Sequence, residues 1–193
     1  MTYWKALKYK DGKIISDYDK SEWKIGVWRT VCEPTELCKG LNCSEMILDA
    51  IGFVRPDVIA EVEIFGKCLK DTDKYTCERM RILRAWITSP KLYAEMAIFA
   101  AYQVLKYYEA KYPDDKRPRE AIEKAQVCID AIGTENAASA AASASYAAAS
   151  AASDAAYVAS ASKTDKEKAR SEMRQKIEQW LIDHITVLPE MQT

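Results

Sequence analysis

The sequence predicts an α+β protein, with a small N-terminal α+β module over residues 1–88 and a mainly α-helical bundle over residues 89–193. Three observations carry that expectation. Composition changes near residue 90, from aromatic and β-branched residues with scattered glycine to a run of helix formers. Residues 57–65 alternate, with Val58, Ala60, Val62 and Ile64 on one face and Ile59, Glu61, Glu63 and Phe65 on the other. Residues 137–161 contain fifteen Ala and six Ser without Gly or Pro, which favours one long helix.

In the N-terminal module, residues 3–9 read as a strand, and Asp11-Gly12 is a hairpin turn leading to a second strand over 13–15. Residues 23–30 have alternating character around Gly26. Ser44 can cap a short helix that runs to Phe53, with Met46, Ile47, Ala50 and Ile51 on one side, and Pro56 closes it. Residues 57–65 form the clearest strand. Residues 76–86 fit another strand, and a helix fits them nearly as well. In the second part, Ser89-Pro90 pairs an N-cap with a first-turn proline and opens a helix over about 90–112. Pro113-Asp114-Asp115 breaks it. A second helix over about 118–132 shows the 3-4-3 seam of Ile122, Ala125, Ile129 and Ile132, and Gly133 stops it. The alanine-rich helix takes about 135–162. Thr164 and Glu167 form a capping box for a last helix over about 165–186, and Pro189 ends it.

Charge and cysteine usage narrow the function classes. Lys+Arg (28) and Asp+Glu (29) nearly cancel, so a nucleic-acid partner is not expected, because its binding draws on a cationic surplus. The opening residues are polar and aromatic rather than a secretory leader, and the Ala/Ser run is too weakly apolar to insert into a bilayer. A cytoplasmic protein without membrane contact is expected. Cys32, Cys38, Cys43, Cys68, Cys77 and Cys128 are separated by 5, 4, 24, 8 and 50 residues, and His184 is the only histidine. Those spacings lack the close ligand pairs of a zinc site, so reduced, mostly buried thiols and no metal are expected.

Within the alanine-rich run, Ser139, Ser143, Tyr146, Ser150, Ser153, Tyr157 and Ser160 recur at 4-3-4-3-4-3 and share one helix face. Two readings stand: small residues let neighbouring helices approach closely, or the Ser/Tyr face meets a partner. Arg117 and Arg119 flank Pro118 at a helix start, where a cation opposes the helix dipole and calls for an anion. That anion can be a nearby carboxylate, which makes a salt-bridged junction, or an acidic or phosphate-bearing partner.

The string Asp115-Lys116-Arg117-Pro118-Arg119-Glu120-Ala121-Ile122-Glu123, followed by an alanine-rich helix, resembles an immunity-protein family of bacterial polymorphic toxin systems. The resemblance covers roughly 90–185. More weakly, residues 1–88 resemble a module of phage-encoded proteins, through Trp4-Lys5-Ala6-Leu7, the tryptophan-containing segment around Gly26, and Cys38-Lys39-Gly40-Leu41-Asn42-Cys43. Members of the helical family carry histidines among the alanines where this chain has Ser and Tyr, so no metal or catalytic role transfers. The immunity label implies a small protein that neutralises a toxin or effector by binding it.

No phosphate loop, zinc-protease motif or nucleophile elbow is present. Glu61 and Glu63 could in principle serve acid–base chemistry, but a solvated face or pairing with Arg79 or Arg81 is the simpler reading. His184 reads as a core-edge residue near a helix C-terminus. The sequence thus points to a non-enzymatic phage or mobile-element protein without cofactor. It would inhibit a bacterial toxin or defence component by stoichiometric binding, as an immunity or counter-defence factor such as an anti-CRISPR. The expected contacts are Ser139, Ser143, Tyr146, Ser150, Ser153, Tyr157, Arg117, Arg119, Trp23 and Trp28, and a second copy of the chain is an alternative partner. The rival is a small-molecule binder that sequesters a nucleotide signal, and an enzyme acting on nucleotides ranks third.

Overall fold

A computed structural model describes residues 2–53, 56–131 and 163–191. The chain forms two compact units, Met1–Thr88 with Leu181–Thr193, and Ser89–Trp180.

The first unit is built on a curled antiparallel sheet, a half-barrel. Its strands are β1 (Tyr3–Lys10), β2 (Lys13–Ile15), β3 (Glu22–Trp23), β4 (Arg29–Thr30), β5 (Leu41–Cys43), β6 (Val58–Lys70) and β7 (Tyr75–Ile87), with helix α1 (Ile47–Phe53) between β5 and β6. The order is β3-β2-β1-β6-β7-β4, and β5 also pairs with β7. Asp11 (φ 50) and Gly12 (φ 78) both take the left-handed conformation that a tight β1–β2 turn demands. Residues 23–30 are not one strand. Gly26 (φ 78) turns the chain between β3 and β4, and its N–H bonds to the Ile82 carbonyl.

The curl nearly closes at one end. β1 pairs with β6, β6 with β7 and β7 with β5. Ser44, just past β5, then exchanges two main-chain hydrogen bonds with Trp4 of β1, at 2.8 and 2.9 Å. Leu7, Trp23, Leu41, Val62, Cys77 and Met80 therefore belong to one apolar core although they are spread over β1, β3, β5, β6 and β7. Two irregularities shape the β6–β7 hairpin. Gly66 and Lys67 together oppose Glu78, and Leu83 has no partner between Ile82 and Arg84.

In the second unit, α2 (Pro90–Lys111) begins as the sequence indicates, with the Ser89 hydroxyl accepting from Leu92 N at 3.2 Å. Ala94, Ile98, Ala101 and Leu105 of α2 pack on Ile122 and Ile129 of α3 (Arg117–Ala131). Helix α4 (Lys163–Ile185) opens early enough to include Thr164, and its Trp180 stacks on Phe99 at 5.6 Å.

The expectation of a small front module followed by a mainly helical bundle is overturned. The sheet is the dominant element, because β6 runs on past Phe65 to Lys70 and the 76–86 segment, which a helix would fit nearly as well, is a strand; each of β6 and β7 spans 13 residues. From Leu181 onward the chain belongs to the sheet unit. Met191 donates its N–H to the Ala85 carbonyl and packs on the sheet core, so this part of the chain completes that core rather than a bundle. The alanine-rich helix expected at 135–162 lies outside the described residues.

Candidate functional site

Side chains of β1 alternate across the sheet, and Lys5 shares the inner side with Leu7. Its Nζ reaches across the curl to donate to the Asn42 carbonyl at 2.7 Å, and it lies 5.1 Å from the centre of the Trp23 ring. Arg29 approaches the same ring, with its guanidinium carbon at 4.6 Å. Trp23 is only 3 % exposed, and its Nε1 is buried with no hydrogen-bond partner. Arg29 is anchored through Nη1 to Ser21 Oγ (2.6 Å) and the Glu22 carbonyl (3.2 Å), and its Nη2 is 3.9 Å from Asp19.

The electrostatics follow from that placement. Burial pushes the Lys5 ammonium down to about 8 and nearby Arg29 adds to the shift, while the Cys43 thiol and Asp19 oppose it. Asp19 is held down to about 2, first by the Ser21 hydroxyl, with Ser16 and Arg29 helping. Three thiols gather on the same inner side. Cys68 and Cys77 are register partners, and Cys77 is hydrogen-bonded to Cys43 as well as to Cys68. Cys43 and Cys77 are buried and Cys68 is partly so, whereas Cys32 and Cys38 are exposed, so the expected burial holds for only some of the thiols. Among the described residues no cluster of His, Cys, Asp or Glu could hold a metal ion.

The outer side of the hairpin carries a second constellation. The Arg79 guanidinium lies 5.1 Å from the Trp28 ring centre and 5.3 Å from that of Phe65, and Arg81 lies 4.8 Å from Trp28. Trp28 and Phe65 meet edge-on at 6.3 Å. Phe65 is 60 % exposed. Arg79 Nε is buried without a hydrogen-bond partner, and no carboxylate pairs with Arg79 among the described residues. The two glutamates of β6 are engaged: Arg81 Nε donates to Glu63 (2.6 Å) and Arg84 Nε to Glu61 (2.8 Å). This is the cross-strand pairing the sequence suggests, with Arg84 in place of Arg79.

The residues singled out from sequence do not come together. Trp23 is a core residue under two cations, whereas Trp28 lies on the outer surface. Arg117 forks onto Asp115 at 2.9 and 2.7 Å, and Tyr108 donates to the same carboxylate at 2.7 Å, which holds Asp115 well below the usual carboxylate range. Arg119 forks onto Glu109 of α2, with both bonds at 2.7 Å. Both guanidiniums are thus occupied by internal carboxylates at the α2–α3 junction. Ser139, Ser143, Tyr146, Ser150, Ser153 and Tyr157 lie outside the described residues. Lys5, Arg29, Phe65, Arg79 and Arg81 are not marked as contacts by the sequence. The available signal is Lys5 at a core-facing position beside Leu7.

No family model, curated protein or solved structure matches this chain. Among the described residues no helix is long and apolar enough to cross a membrane.

Proposed function

We propose that this protein acts by stoichiometric binding of a protein partner, a bacterial toxin or defence component, in an immunity or counter-defence role of the kind a phage encodes. The observation that carries the reading is the outer-face group of Trp28, Phe65 and Arg79. Tryptophan and arginine are the residue types that concentrate binding energy in protein interfaces. Phe65 offers an exposed ring, and Arg79 places beside two aromatic faces a guanidinium that no carboxylate pairs with among the described residues. The matching partner surface has an apolar pocket for Phe65 and a carboxylate for Arg79. Occupation of Arg117 and Arg119 by internal carboxylates moves the contact away from the α2–α3 junction.

The test compares the tagged full chain with a Phe65→Ala/Arg79→Ala variant in pull-downs from bacterial lysate. The reading expects one protein retained at equimolar amount by the wild type and bound roughly thirtyfold more weakly by the variant, since loss of an interface anchor costs on the order of 2 kcal/mol. It fails if a nucleotide co-purifies instead of a protein, if the variant retains the protein equally, or if the variant disrupts only self-association.

A further inference from the structure

We propose that the inner face of the half-barrel contains a binding site for the oxyanion of a small molecule, a phosphate or carboxylate, formed by Lys5, Arg29 and the indole N–H of Trp23. Two cations lie within 5.1 and 4.6 Å of one buried indole ring. Like charges so placed repel, and Arg29 indeed disfavours the charged form of Lys5. The single carboxylate at ion-pair distance among the described residues is Asp19, beside Arg29, so the two cations keep a net positive charge. Lys5 has no carboxylate within ion-pair distance among the described residues, and its one hydrogen bond, to the Asn42 carbonyl, uses one of three N–H donors. Arg29 sees Asp19 only at 3.9 Å, and the Ser21 hydroxyl and amide already bind that carboxylate.

Trp23 Nε1 is the independent sign. A buried indole N–H nearly always has an acceptor, and leaving one without costs free energy. Here the side chain is almost wholly buried and the donor is unanswered. One oxyanion would supply acceptors to the indole and to the remaining ammonium donors, and its charge would offset the two cations against Asp19. Charge-assisted bonds of this kind are the strong ones. The Arg29 side chain is 25 % exposed, so the site opens on that side. The cross-curl bond from Lys5 to Asn42 makes the site depend on closure of the sheet, which ties ligand binding to the fold itself.

The experiment is a titration of the full chain with inorganic phosphate and, separately, acetate, each against sodium chloride at matched ionic strength. It is followed by the Trp23 indole proton resonance, assigned with Trp23→Phe, and by thermal unfolding. The expected result is a saturable shift of that resonance and a rise in Tm with phosphate or acetate but not chloride, the stronger of the two naming the oxyanion class. Lys5→Met and Arg29→Gln should each weaken the apparent affinity about tenfold. The wild-type resonance keeps the test decisive even if a variant fails to fold. The proposal is overturned if the Trp23 resonance does not move, if chloride has the same effect, or if folded Lys5→Met and Arg29→Gln chains respond like the wild type.

Discussion

Gly66 of β6 faces the Glu78 carboxylate of β7 so closely that a Cβ on Gly66 would collide with it. The same glycine has φ +82, a conformation that side-chain-bearing residues adopt only under strain. Glu78 in turn accepts from the Lys67 N–H at 3.2 Å, so the carboxylate is part of the bulge rather than a bystander. Gly66→Ala is expected to destabilise the chain by about 2–3 kcal/mol, combining backbone strain with steric displacement. Gly12→Ala should cost only about 1 kcal/mol, because its φ is similar (+78) but nothing lies within 4 Å. Urea midpoints of the two variants at constant m-value check the ordering, and equal losses would show that Glu78 yields freely.

That bulge also explains what the sequence conceals. The β1–β2 hairpin, α1 and the first half of β6 follow from short-range signals: a left-handed dipeptide, a compact apolar helix face and strict alternation. The second half of β6 does not, because Gly66-Lys67 interrupts the period-2 pattern at the point where the strand continues. In β7 the inward residues Met80, Ile82 and Ala85 are spaced two and then three apart, because Leu83 is the extra residue of a second bulge. A two-then-three spacing is half helical, so a helix fits that segment nearly as well. Lys5 is hidden for another reason. A lysine on a strand reads as solvent-facing; its place on the same side as Leu7 is the one local sign, and the long-range bonds between Ser44 and Trp4, which close the curl, bring its ammonium inside. The helical part misleads through its end: residues 181–185 keep a helical pattern, and nothing local says that they belong with the sheet.

Lys5 should also write itself into the pH dependence of stability. Its ammonium is lowered from 10.5 to about 8 in the folded chain, so between those values the unfolded chain binds the extra proton. Stability attributable to Lys5 therefore rises with pH across that window, and below about 8 both states are protonated and the slope vanishes. The rise should be on the order of 2 kcal/mol, since each tenfold change in proton affinity is worth roughly 1.4 kcal/mol and partial solvation trims the total. The readout is the difference between wild type and Lys5→Met in urea midpoints from about pH 7 to about 10.5, which isolates the Lys5 contribution from that of other groups. A constant difference across that range would place the ammonium in water.

In the second unit, the apolar seam and the ion pair between α2 and α3 make separable contributions. Ile122 is 6 % exposed and packs on the α2 residues Ala94, Ile98, Ala101 and Leu105. Ile122→Ala should cost about 2–4 kcal/mol through lost burial and the cavity left behind. Arg119→Ala removes the fork onto Glu109, but its side chain is 44 % exposed and solvent screens the pair. Its loss should be clearly smaller than that of Ile122→Ala and should shrink further in high salt. Thermal unfolding of both variants at low and high sodium chloride checks the pair; a salt-independent Arg119 effect would mean that its aliphatic stem, not its charge, holds the helices.

The thiols provide a test of the curled sheet that needs no substitution. Cys32 and Cys38 are exposed, whereas Cys43 and Cys77 are buried on the inner face. Burial raises the Cys68 thiol to about 12, with its hydrogen bond to Cys77 adding to the effect, and Cys77 is pushed up as well, first by its bond to Cys43. Because the thiolate is the reacting species, both accessibility and ionisation slow these inner thiols. Alkylation at neutral pH, resolved by peptide mass spectrometry, should modify Cys32 and Cys38 rapidly. Cys43, Cys68 and Cys77 should react roughly tenfold or more slowly, and at comparable rates once urea unfolds the chain. Fast native labelling of Cys77 would contradict closure of the sheet, because Cys77 sits on β7 directly opposite Leu41 of β5, the strand whose following residue, Ser44, bonds to Trp4 and closes the curl.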